Sequence, residues 1–117
     1  MQYMILIYDQ EASWASMPES EIGAVLAQWG EFHKELAASG SMISGERLRP
    51  TSMATTIRVQ NGDKTTTDGP FAETKEQLGG YYLIDVQNLD KALEWAAKIP
   101  LPEGSLEIRP VWPEGEA

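Results

Sequence analysis

The sequence predicts an α+β fold, a ferredoxin-like βαββ(hairpin)βαβ sandwich, on three observations. Segments with strand and helix periodicity alternate along the whole chain, with a helix after the first strand and another before the last. Asn61-Gly62-Asp63 is a strong hairpin turn between two strand-like runs, which adds an inserted hairpin to the basic pattern. The strands at 2–8 and 80–87 carry apolar residues on both faces, so the sheet they share must be covered on both sides.

Each element has its own local signal. In residues 2–8, Tyr3, Ile5 and Ile7 lie on one face and Met4, Leu6 and Tyr8 on the other. Residues 9–17 read as a loop, and Pro18 suits a helix start. From Glu19 to Ser39, Ile22, Val25, Leu26, Trp29, Phe32 and Leu36 recur at spacings of three and four, which is one helical stripe, with Gly40 as its stop. Residues 41–49 and 53–60 read as strands, followed after the turn by a short strand at Lys64–Thr67. Gly80–Gln87 is the next strand. Asn88 then suits the N-cap of a helix over 89–99, whose stripe is Leu89, Ala92, Leu93, Ala96 and Ile99. Leu106–Trp112 is the final strand, and 113–117 is an acidic tail.

Both helices of such a fold cover one sheet face, leaving the other apolar and bare. A two-fold copy supplies the missing layer, so a homodimer packed face to face is expected. At 117 residues the chain is a single domain, 1–117, long enough to bury about two thirds of its unfolded surface. The net charge of −9 argues against nucleic acid, whose backbone requires a basic surface. No run approaches a membrane span and the N-terminus lacks a basic signal region, so a cytoplasmic location is expected. The absence of cysteine removes disulfides, thiolate metal sites and a Cys nucleophile. No cofactor is implied.

The densest chemistry lies in Asp68-Gly69-Pro70-Phe71-Ala72-Glu73-Thr74-Lys75-Glu76, just before Gly79-Gly80-Tyr81-Tyr82. His33 is the only histidine, and at about 100° per residue it lies about 20° from Ile22, inside the apolar stripe of its helix. It reads either as a buried neutral histidine with one partner or as a general base at a cleft edge. One histidine leaves too few nitrogen ligands for a metal site. Asp68 reads either as an Asx-turn residue or as the carboxylate that orients His33, which makes His33 and Asp68 the candidate catalytic pair. Glu73 and Lys75 read first as a surface ion pair. Candidate ligand contacts are Arg47, Phe71, Glu73, Lys75, Tyr82 and Arg109; strand arginines beside apolar neighbours suit carboxylates. Tyr81 and Tyr82 point to opposite faces, one toward the helices and one toward the dimer cleft.

Ser44-Gly45-Glu46-Arg47-Leu48, the Asp68–Glu76 run, Gly79-Gly80-Tyr81-Tyr82 and Glu107-Ile108-Arg109-Pro110 resemble the DGPF-type branch of the YCII-related proteins, across nearly the whole chain. The resemblance implies a small bacterial protein that dimerises as an α+β barrel. It also implies an association, in some relatives, with alternative sigma factors as protein partners. A His–Asp pair has been suggested as an active site in the wider superfamily, and one branch acts on a chlorinated-aromatic lactone. Two functions are therefore carried forward: a small-molecule-binding or regulatory dimer, and a small enzyme using His33 and Asp68 as an acid/base pair on an aromatic or lactone-like substrate.

Overall fold

The computed structural model describes residues 1–117. Its strands are β1 (Gln2–Asp9), β2 (Met42–Arg47), β3 (Thr55–Gln60), β4 (Asp63–Asp68), β5 (Gln77–Asp85) and β6 (Gly104–Pro110). Its helices are α1 (Glu11–Ser16), α2 (Glu19–Ser39) and α3 (Leu89–Ala97). The main sheet has the order β2-β5-β1-β6, with every neighbouring pair antiparallel. Setting aside β3 and β4, which form a separate two-stranded sheet, this is the ferredoxin-like order with the two central strands from the first and third positions.

The core follows from strand alternation. Tyr3, Ile5 and Ile7 of β1 and Tyr82 and Ile84 of β5 are buried beneath Phe32 and Leu36 of α2 and Ala92, Ala96 and Ile99 beside them. Ile5 lies opposite Tyr82 on one side and Ile108 on the other, so all three share the helix-covered face. The same register places Met4 opposite Leu83 and Arg109, and Leu6 opposite Tyr81 and Glu107, on the other face. Arg109 therefore points away from the helices, and Tyr82 rather than Tyr81 points toward them. No element of the chain covers the second face, and Met4, Leu6, Tyr81 and Leu83 are only half-buried on it. The radius of gyration is 16.4 Å, well above the about 13 Å of a compact domain of this length.

Local signals set the chain reversals. Gly40 ends α2 with φ of 82° and its N–H bonds the Ala37 carbonyl. Asn61 and Gly62, at φ of 52° and 84°, make the hairpin turn with both central residues left-handed. Asn88 Oδ1 accepts from the Lys91 N–H at 3.1 Å and caps α3.

Three expectations are corrected. Residues 9–17 are not a loop throughout, because 11–16 form α1. This helix is too short for periodicity to reveal, and tertiary contacts hold it: Glu11 accepts from the Thr51 N–H and hydroxyl, each at 2.7 Å, and its own N–H donates to Gln77 Oε1 at 3.0 Å. β5 starts three residues earlier than expected, at Gln77, so the glycine pair lies within the strand. On α3, Leu89 and Leu93 are exposed, whereas Ala92 and Ala96 are buried, since small residues let the helix approach the sheet closely.

Candidate functional site

Three glycines allow close approaches in the sheet wall of a space beneath α2. Gly45 of β2 lies opposite Tyr82 of β5, and a Cβ there would come within 2.6 Å of the tyrosine ring. A Cβ at Gly79 would meet the Asp9 carboxylate at 3.1 Å, and one at Gly80 the Glu46 carbonyl oxygen at 2.7 Å. Beside these close approaches lies a cavity of about 290 Å³, bounded by β1, α1, α2, β2 and β5. Ile7, Leu26, Trp14, Trp29 and Tyr82 give it apolar and aromatic walls, and Asp9, His33, Glu46 and Arg47 are its charged or titratable residues.

The walls are fixed by contacts behind them. Trp14 donates its indole N–H to Asp9 Oδ2 at 2.8 Å, which joins α1 to the end of β1. Phe32 sits behind the cavity and meets Trp29 and Tyr82 edge to face, with ring centroids 6.4 and 5.5 Å away. His33 Nδ1 lies 3.3 Å from the Tyr82 hydroxyl; the hydroxyl donates when Nδ1 is unprotonated. Burial raises the Tyr82 phenol above its ordinary value and keeps it protonated.

Asp9 is the electrostatically distinctive group. Burial raises its pKa, opposed by the Trp14 hydrogen bond and the positive charge of Arg47, and assisted by the negative charge of Glu11. The Arg47 guanidinium stands 6.0 Å over the Trp14 ring, at the outer range of a cation–π contact. It makes no ion pair and no side-chain hydrogen bond within the chain. Nowhere do three or more His, Asp or Glu side chains converge in a way that would hold a metal ion.

Of the residues singled out from sequence, His33, Arg47 and Tyr82 line the cavity together. His33 does so from an exposed position on α2, not from the buried one its place in the stripe suggested. Asp68 is not brought to His33 within the chain. It ends β4, opposite Thr55 in the separate hairpin sheet, is exposed, and makes no side-chain hydrogen bond. The Asx-turn expectation is corrected too, for the turn is held by others: the Gly69 N–H donates to the Ala54 carbonyl at 2.7 Å, the Thr56 hydroxyl to the Gly69 carbonyl at 2.7 Å, and Arg58 to the Phe71 carbonyl at 2.8 Å. Phe71 is 71% exposed. Glu73 and Lys75 are exposed and form no ion pair with each other, because the ion pairs lie elsewhere, as at Lys98–Glu35 and Lys91–Glu94. Arg109 lies on the uncovered sheet face, away from the cavity.

Asp9 and Trp14 are the site residues that sequence reasoning missed. The available signal was an aspartate directly ending a strand apolar on both faces, where solvation is incomplete.

A model of the YCII-related domain matches residues 1–114 of the chain. An uncharacterized protein of Rhizobium meliloti (strain 1021) is 37% identical over 114 residues, covering 95% of this chain and 92% of the relative.

Proposed function

The chain belongs to the YCII-related domain family, and from that premise we propose that it is a small-molecule-binding domain whose ligand occupies the cavity beneath α2. The observation that carries this reading is the convergence of Asp9, His33, Arg47 and Tyr82 on one aromatic-walled space of about 290 Å³. That size is near the lower end for small-molecule sites, about 300 Å³, and an apolar lining with a few convergent polar groups is their usual composition. A homodimer is part of the proposal. The half-buried second sheet face and the expanded single-chain radius of 16.4 Å both favour a second copy packed on that face.

A fragment screen read by intrinsic fluorescence tests the reading, because Trp14 and Trp29 both line the cavity. Single-ring fragments of every charge type are included, and solution mass is measured by light scattering. Saturable quenching that is lost in Trp14→Phe supports the site. A screen without hits, or hits indifferent to Trp14→Phe, rejects it, and a monomeric mass rejects the dimer.

The enzyme reading is favoured by one contact, His33 Nδ1 at 3.3 Å from the Tyr82 hydroxyl. In this version His33 is the general base, with Asp9 in place of Asp68 as the carboxylate sharing its cavity. Turnover of a bound fragment, abolished in His33→Ala with binding retained, would distinguish it from binding alone. In the regulatory version, suggested by resemblance to companions of alternative sigma factors, ligand occupancy would change affinity for the sigma factor instead.

A further inference from the structure

From the shape and charge of this cavity we infer that its ligand is a planar, single-ring organic carboxylate carrying a hydroxyl group beside the carboxylate. The inference rests on the ligand-binding reading above and deepens it. Shape comes first. Trp14 is held by its bond to Asp9, and Trp29 and Tyr82 are held edge-on by Phe32, so three aromatic walls are fixed. Gly45, Gly79 and Gly80 also line the space, and the room above them is taken by the Tyr82 ring, the Asp9 carboxylate and the Glu46 carbonyl, so that wall is close-packed. Rigid rings in a close-packed wall favour a flat guest, stacked or edge-on. The volume of about 290 Å³ limits that guest to about one ring with its substituents.

Charge decides the rest. Arg47 is the only cation lining the cavity, and none of its donors is used by the chain. No arginine of the chain is ion-paired, and Arg47 is the one that lines the cavity, where it stands over Trp14. Its planar fork suits a carboxylate in two-point contact, and its setting over an aromatic ring suits a carboxylate attached to a stacked ring. Asp9 also lines the cavity, but it is not within ion-pair distance of Arg47. One Asp9 oxygen accepts from Trp14, and the carboxylate's other donor within the chain is its own backbone N–H. The ligand edge that reaches both residues must present an anion to Arg47 and a donor to Asp9. A ring carboxylate with a neighbouring hydroxyl does both when the hydroxyl turns from its internal bond with the carboxylate and donates to Asp9. A dicarboxylate would set a second negative charge against Asp9, and an alkyl amine would set a positive charge against Arg47.

Binding of salicylate, salicylamide, benzoate and benzylamine to the full chain tests this, by Trp fluorescence and by ligand-observed NMR. Salicylate is expected to bind tightest, benzoate and salicylamide more weakly and benzylamine least. Arg47→Gln should weaken salicylate by roughly 10-fold or more, as for loss of a charged hydrogen-bond partner, while leaving salicylamide unchanged. Arg47 is exposed, so an unchanged melting temperature confirms that the fold is intact. If salicylamide or benzylamine binds as tightly as salicylate, or Arg47→Gln weakens all four alike, the carboxylate assignment is overturned while the cavity remains a binding site. Binding of benzoate equal to salicylate removes the hydroxyl alone. If none of the four binds, the assignment fails, and the fragment screen decides separately whether the cavity binds anything.

Discussion

Replacing Gly45 by alanine tests whether the Tyr82 wall of the cavity is fixed by close packing on a glycine. The new methyl would lie 2.6 and 2.9 Å from two carbons of the Tyr82 ring and 3.1 Å from the Tyr81 carbonyl oxygen. The ring cannot retreat freely, because Tyr82 is 8% exposed and its other side meets Phe32 at 5.5 Å. Overpacking of this kind costs about 1–3 kcal/mol. Removing a glycine from a strand returns up to about 1 kcal/mol of backbone entropy, so a net loss of about 1–2 kcal/mol is expected. With an unfolding entropy of about 0.25 kcal/mol/K for a chain of this length, that lowers the melting temperature by about 4–8 °C. Gly23→Ala on α2 is the control, since no atom lies within 4 Å of its added Cβ. There the same substitution improves helix propensity and should raise the melting temperature by about 2–4 °C. Circular dichroism melts of both variants at one protein concentration give the comparison. A Gly45→Ala protein melting at or above the parent, with Gly23→Ala raised as expected, would refute a Tyr82 ring fixed by close packing.

Two further predictions follow from burial and charge. Leu36 is 0% exposed in the centre of the core, so Leu36→Ala should cost about 2–5 kcal/mol in urea unfolding, and a loss below about 1 kcal/mol would place the core elsewhere. Asp9 has a pKa raised by burial, so its neutral form stabilises the fold: that contribution is complete below the ordinary carboxylate range and is lost as pH rises through the raised value. Asp9→Asn should therefore gain stability relative to the parent as pH rises above the ordinary carboxylate range, and a difference between the two proteins that does not change with pH would remove the role of burial.

The main sheet and the long helix were legible because each obeys one period along its length. Ile5 and Ile7 alternate with Met4 and Leu6 in β1, and Phe32 and Leu36 repeat in α2, so direction and burial agree. Where they part, sequence reasoning failed. His33 has the angular position of a core residue, yet it is exposed, because helical phase gives the direction of a side chain and not what lies there. Beside this turn of α2 lies the cavity, whose sheet wall includes Gly45, Gly79 and Gly80. α1 was missed for a related reason: six residues carry too little periodicity, and its anchors, Asp9, Thr51 and Gln77, are spread across the chain.

The charged run at Asp68–Glu76 and the glycines at 45, 79 and 80 show how differently local composition and tertiary placement bear on a site. A dense charge cluster is conspicuous in sequence because each member is polar, and polar side chains with no fixed partner remain solvated. Asp68, Glu73 and Lys75 are exposed accordingly, and their turn is held by bonds to the carbonyls of Ala54, Gly69 and Phe71, two of them donated by the Thr56 and Arg58 side chains. The cavity has the opposite origin. Its glycines carry no chemistry, but each lies where a Cβ would strike Tyr82, Asp9 or the Glu46 backbone, so their effect appears only when strands β1, β2 and β5 are paired. Once those strands align, the same register that excludes a side chain at 45 sets Tyr82 against His33, and the space at 79 receives Asp9. Polar groups drawn from three strands and α2 then face one another around a volume that no single segment encodes.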